Sequence, residues 1–292
     1  MMRRLWLVGL MVWAAAFPTV AQQQRDPFNG QLGVVQLAAP PAEAARQATL
    51  MGEALAALPQ QRPGELDVYM ISASLWGDPV FEREASQAEE ILRAHFGAGA
   101  EGRSIILSAG GQGERRYPAA TPDNISAAIG RVGSLIDANE DLVVLFLTSH
   151  GSPDGSMSIR EHNRLGASFR PTHLRDLLAS AGVRSRVVIV SACFSGAFIA
   201  PLADENTIVL TAAAPDRSSF GCQPQREWTF FGDALFDENL RTGKPLLEAF
   251  EDAKRVIERW EREQNLSPPS NPQRYIGSRA QELLRRAERN AR

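Results

Sequence analysis

LVVLFLTSHG at residues 142–151 and RVVIVSACFSG at residues 186–196 repeat one pattern. Each is a short apolar run rich in Val, Leu and Ile. Each ends in small polar residues, then one reactive side chain, then glycine at once or soon after. Apolar runs of this length read as strands buried on both faces, as in parallel sheets covered by helices. Open α/β sheets gather their chemistry at the carboxyl ends of such strands. The two runs deliver His150 and Cys193 to that edge, with 42 residues between them. A histidine and a thiol at neighbouring strand tips point to a cysteine nucleophile with its base.

Outward from this pair, strands and helices alternate. Further strands are predicted at 66–72, 103–109 and 206–213, and a small hairpin within 151–169. Helices are predicted at 42–58, 81–96, 122–137, 171–180, 196–202, near 229–239, at 245–264 and at 280–291, with 267–275 extended. Thr121 before Pro122 is a helix start in the expected form. Alternation with right-handed crossovers gives an α/β fold, a mostly parallel central sheet with helices on both faces.

The start, MMRRLWLVGLMVWAAAFPTVAQQQ, has two arginines, a short apolar stretch and small residues before Ala21. That is the layout of a secretory signal, so residues 1–21 are expected to be removed and the protein exported, periplasmic or secreted. No later stretch approaches the length of a membrane helix, so no membrane contact is expected after signal removal. Residues 22–64, rich in Gln, Ala and Pro, read as a lead-in or a removable pro-segment, and 65–292 as the main domain. The formal net charge is −3, which offers no basic field for nucleic acid. The Gly-rich loop at 110–113 lacks a phosphate-loop spacing. Oligomeric state is not legible.

Cysteine occurs twice, as Cys193 and Cys222. A bridge between them is the competing reading, and it would remove the thiolate. Of the four histidines, His95, His162 and His173 lack the strand-end frame of His150 and read as surface residues. None has metal-ligand spacing with the cysteines, so no metal is expected. Cys193 falls where a strand gives way to a predicted helix, a place that lowers a thiol pKa. Gly151 lets the backbone approach closely, and its N–H with that of Cys193 would form an oxyanion site.

Strands ending T-S-H-G and S-A-C-F-S-G, some forty residues apart, resemble the His-Gly and Ala-Cys blocks of the legumain-type (C13) cysteine peptidases. The resemblance runs from about Leu66 to Gly277. It implies a caspase-like three-layer sandwich and cleavage of a peptide or protein substrate through a thioester, with no cofactor. TAAAPDRSSFGC (211–222) is similar to the family segment lining the specificity pocket, which places Ser218 and Ser219, with Ser191, among the substrate contacts. FFGD, ending at Asp233, resembles the block that puts an acid in that pocket, and Arg83 looks like the pocket arginine. A pocket holding both would take the amide of Asn or the carboxylate of Asp. Ser191 and Phe194 stand where the plant and animal enzymes carry acids, and the histidine-orienting asparagine has no match near Gly77–Val80. A transpeptidase of the same family and a non-catalytic scaffold of the same fold are the alternatives.

Overall fold

Six strands form one sheet in the order β3-β2-β4-β7-β8-β9 in the computed structural model. Residues 35–36, 39–110, 116–161 and 164–291 are described. The expected signal segment, most of the lead-in before Pro41, the loop residues 111–115 and His162 lie outside them. The elements are β1 (Val35–Gln36), α1 (Pro41–Ala57), β2 (Val68–Ser74), α2 (Pro79–Phe96), β3 (Ser104–Ser108), α3 (Pro122–Leu135) and β4 (Leu142–Thr148). Then come β5 (Met157–Glu161), β6 (Leu165–Phe169), α4 (Pro171–Ser180), β7 (Arg186–Ser191), α5 (Ile199–Leu202) and β8 (Thr207–Thr211). α6 (Phe230–Gly232), α7 (Leu246–Glu263), β9 (Gln273–Ile276) and α8 (Ser278–Asn290) complete the chain.

β3, β2, β4, β7 and β8 are mutually parallel, and β9 closes the far edge antiparallel to β8. Strand alternation sorts the side chains into two cores. Val144 and Phe146 of β4, with Val187 and Ile189 of β7, pack against α2, α7 and α8. Val143, Leu145 and Leu147, with Val188 and Val190, face the opposite way, toward α3, α4 and the β5–β6 hairpin. Burial of each such side chain contributes about 1.5–3 kcal/mol. This is the three-layer α/β arrangement the strand pattern predicts.

β4 and β7 are neighbours, and Thr148 sits opposite Ser191 at their carboxyl ends. His150 and Cys193 each follow two residues later, so the register carries both to one edge. β2 lies on the other side of β4 and leads through Trp76-Gly77-Asp78 into α2. The chain reverses its direction across the sheet between β2 and β4, the kind of switch point where such sheets open a crevice.

α1 belongs to this packing. Met51 and Leu58 are buried in the second core. The Ala119 N–H donates to the Gln47 side chain at 2.7 Å, and the Tyr69 hydroxyl donates to the Pro59 carbonyl at 2.8 Å. The helix predicted near 229–239 is broken: α6 passes into a π-turn at Asp233–Asp237 and then a 3₁₀ turn at Leu240–Thr242. The Asn239 side chain donates to the Ala234 carbonyl at 2.8 Å, which turns the chain out of the helical path.

Candidate active site

The loops after β4 and β7 interlock through their backbones. A methyl group at Gly151 would sit 1.8 Å from the Cys193 carbonyl oxygen and 3.2 Å from the Cys193 nitrogen. Only glycine allows that approach, and it sets the residue after His150 directly against Cys193. The Ser158 N–H donates to the His150 carbonyl at 2.9 Å, and Ser152 N–H to the Ser156 carbonyl at 2.9 Å, tying this loop to the β5–β6 hairpin. These flanking bonds leave the Gly151 N–H outside the ladder. Neither it nor the Cys193 N–H donates to an acceptor among the described residues.

The His150 imidazole is half-buried. It meets Trp76 and Phe81 edge-on, each at 5.0 Å between ring centroids. Its Nε2 lies 3.6 Å from Asp78 Oδ2, an ion-pair distance longer than a hydrogen bond. Burial pushes the imidazole below the ordinary histidine value, and the Asp78 carboxylate pulls it back upward. A ring held mostly neutral near pH 7 is able to take a proton.

Cys193 and Cys222 are both free thiols, so the bridged reading does not hold in this structure. Cys193 Sγ accepts from the Ser219 N–H at 3.3 Å and reaches the Ser219 carbonyl at 3.6 Å. Next to it, Phe194 takes a left-handed backbone at φ 59°, which costs a non-glycine residue about 1–2 kcal/mol. The Phe194 N–H donates to the Arg217 carbonyl at 2.7 Å, which helps hold that turn. The helix expected after Cys193 is one 3₁₀ turn, Ser195–Phe198, followed by α5 of four residues. Its dipole is therefore weaker than that of a full helix. Burial pushes the Cys222 thiol up, reinforced by charge on Cys193, Asp78 and Glu84.

Beneath both loops lies Glu84 of α2, fully buried. The Thr148 hydroxyl donates to its Oε2. The Thr229 and Ser191 hydroxyls donate to its Oε1 at 2.5 and 3.3 Å. Burial, opposed by these hydrogen bonds, raises its pKa from 4.5 to about 7. Gly232 makes room: a methyl there would fall 2.1 Å from Glu84 Oε1.

Of the expected substrate contacts, Ser219 adjoins Cys193, Ser218 is exposed, and Ser191 turns its hydroxyl inward to Glu84 and Thr229. The Arg83 guanidinium donates to the carbonyls of Pro224, at 2.6 Å, and Arg226, and pairs with Glu227 at 3.4 Å. Asp233 pairs with Arg226 at 3.4 Å, and burial pushes its carboxyl up. Arg226 thus links Arg83 and Asp233. Among the described residues the hydrogen bonds and ion pairs of those two run to this loop and not to Cys193 or His150. His95, read as a surface residue, is half-buried, and its Nε2 lies 3.0 Å from Glu288 Oε1 of α8. His173 is exposed as expected and accepts from the Arg170 N–H at the start of α4. Among the described residues no cluster of His, Cys, Asp and Glu could hold a metal.

Asp78, Glu84, Thr148, Thr229 and Arg226 were not read from the sequence. Asp78 lies within Gly77–Val80, the stretch that lacks the family's asparagine. Glu84 carries a fainter signal: it falls in helical phase with Phe81, Ala85 and Ala88 on the buried face of α2.

No curated protein matches the chain by sequence. Among solved structures it is similar to caspase-1 from Spodoptera frugiperda, with TM-score 0.49 and 11% identity over 75% of this chain and 93% of that one. It is also similar to a secreted C11 cysteine protease from Bacteroides thetaiotaomicron, with TM-score 0.39 and 14% identity over 66% of this chain and 59% of that one. The model of the Peptidase C13 family matches residues 117–277, which contain both His150 and Cys193. That match spans more than half of the chain, and the protein therefore belongs to the Peptidase C13 family of cysteine-type peptidases.

Proposed function

We propose that the protein is an endopeptidase working through a Cys193–His150 dyad, with Asp78 orienting the imidazole. The observation that supports this reading is the backbone contact of Gly151, the residue after His150, with Cys193. His150 takes the thiol proton, and the thiolate attacks the peptide carbonyl carbon. The N–H groups of Gly151 and Cys193, without acceptors among the described residues, receive the oxyanion. The imidazolium returns the proton to the departing amine as the C–N bond breaks. Water, deprotonated by His150, then opens the thioester. An amine in place of that water gives transpeptidation from the same intermediate.

For specificity we infer cleavage after Asn or Asp. Support comes from the loop that carries Ser219 to Cys193. It goes on to Arg226, whose carbonyl holds Arg83 and whose side chain holds Asp233. The layout of residues 1–21 supports export to the periplasm or medium.

A thiol-directed peptide probe tests the dyad. Labelling and cleavage are expected to vanish in Cys193→Ala and to survive in Cys222→Ala, and His150→Ala is expected to lose cleavage while staying folded. Cleavage retained by purified Cys193→Ala would remove the mechanism. A peptide-library digest reports the residue before the cut and separates hydrolysis from transfer by the mass of the products.

A further inference from the structure

A carboxyl with no exposed surface has to account for its charge. Among the described residues Glu84 has no cationic partner; its neighbours are neutral. They come from three places in the chain. Thr148 ends β4, Ser191 ends β7, and Thr229 caps α6 while accepting from the Gly232 N–H at 3.1 Å. Thr148 stands two residues before His150 and Ser191 two before Cys193. Asp78, Phe81 and Glu84 recur at three-residue steps from the start of α2. The first two meet the imidazole and the third meets the strand ends beneath it. Cys222 is a titratable group whose thiol the Glu84 charge helps push up, after burial and the charges of Cys193 and Asp78.

We propose that Glu84 is a positioning residue for the dyad: its single carboxyl ties the β4 and β7 ends to α2 and to Thr229, and so fixes the spacing between the His150 and Cys193 loops. The inference rests on the dyad reading. One effect follows. Removing the carboxyl loosens two loops whose reacting atoms tolerate little misplacement, a fault that costs about 100-fold in rate for about 1 Å. Glutamine keeps the shape and most of the bonds, and leucine keeps neither.

The test measures kcat, KM and the pH profile of full-length Glu84→Gln and Glu84→Leu, with Cys193→Ala and His150→Ala alongside. Iodoacetamide alkylation of Cys193 is followed in a Cys222→Ser background. Glu84→Gln is expected within about threefold of wild type at pH 6. Alkylation of Cys193 in Glu84→Gln is expected to run at the wild-type rate, because the amide keeps the shape of the site. Glu84→Leu is expected to lose about 100-fold in kcat with little change in KM. If Cys193→Ala and His150→Ala stay active, the dyad falls and this proposal with it. If both are dead while folded Glu84→Leu keeps wild-type kcat, the Glu84 proposal alone is overturned. Should Glu84→Leu fail to fold, Thr148→Val, which removes the β4 tie to Glu84, decides: wild-type kcat in that variant overturns the proposal.

Discussion

Gly151 has no room for a side chain, and that makes it a sharper probe than either reactive residue. A Cβ there would collide with the Cys193 carbonyl at 1.8 Å, so one of the two loops has to move. Gly151→Ala is expected to cut kcat/KM by at least about 100-fold while the two cores stay intact. Steady-state kinetics beside a thermal melt would show it. A large fall in melting temperature with unchanged kinetics would contradict it. Asp78 acts on the same imidazole through charge. Burial already lowers the His150 pKa and Asp78 raises it, so Asp78→Asn lets it fall further. The acid limb of the kcat/KM profile is then expected to shift to lower pH, with a smaller maximal rate because the ring loses its orienting partner. A limb that moves to higher pH would show that the carboxylate does not act on the imidazole as described.

The elements divide by how openly the sequence declared them. β4 and β7 were legible because strands buried on both faces leave nothing polar until their ends. The start at Pro122 was legible because the Thr121 side chain accepts from the Asn124 N–H at 3.1 Å, as an N-cap should. α2 begins at Pro79, two residues before the predicted start, because Asp78 and Pro79 enter the helix as cap and first turn. Glu84 escaped notice because a glutamate in a helix reads as a solvated face, and only the three-dimensional convergence of three hydroxyls gives it an interior place. The bend after Gly232 escaped for the same reason, since its cause is contact across the fold and not local propensity. α1 carries an element-scale prediction. Removing residues 1–38 is expected to leave the fold intact. Removing residues 1–64 strips Met51 and Leu58 from the core, together with the Gln47 and Pro59 acceptors. The melting temperature is then expected to drop by about 10 °C. Equal melting curves for the two truncations would mean that α1 is dispensable packing.

At the scale of the whole molecule, the buried acid links stability to pH. Between its ordinary value of 4.5 and about 7, Glu84 stays protonated in the native state and is ionised in the unfolded chain. The native state then binds more protons, so stability falls as pH rises through that window and levels off above about 7. The contribution is about 3 kcal/mol. Urea denaturation at pH 5 and pH 8 is expected to show this loss in wild type and to show it blunted in Glu84→Gln. A larger loss in Glu84→Gln would place the linkage elsewhere.

Pairing of Thr148 with Ser191 joins stretches of chain some forty residues apart. Such long-range contacts form late, after the entropy of closing the intervening loop has been met. A reaction centre assembled across that seam has no counterpart in a nascent polypeptide. The same topology that builds the site therefore leaves it unassembled until the chain has folded.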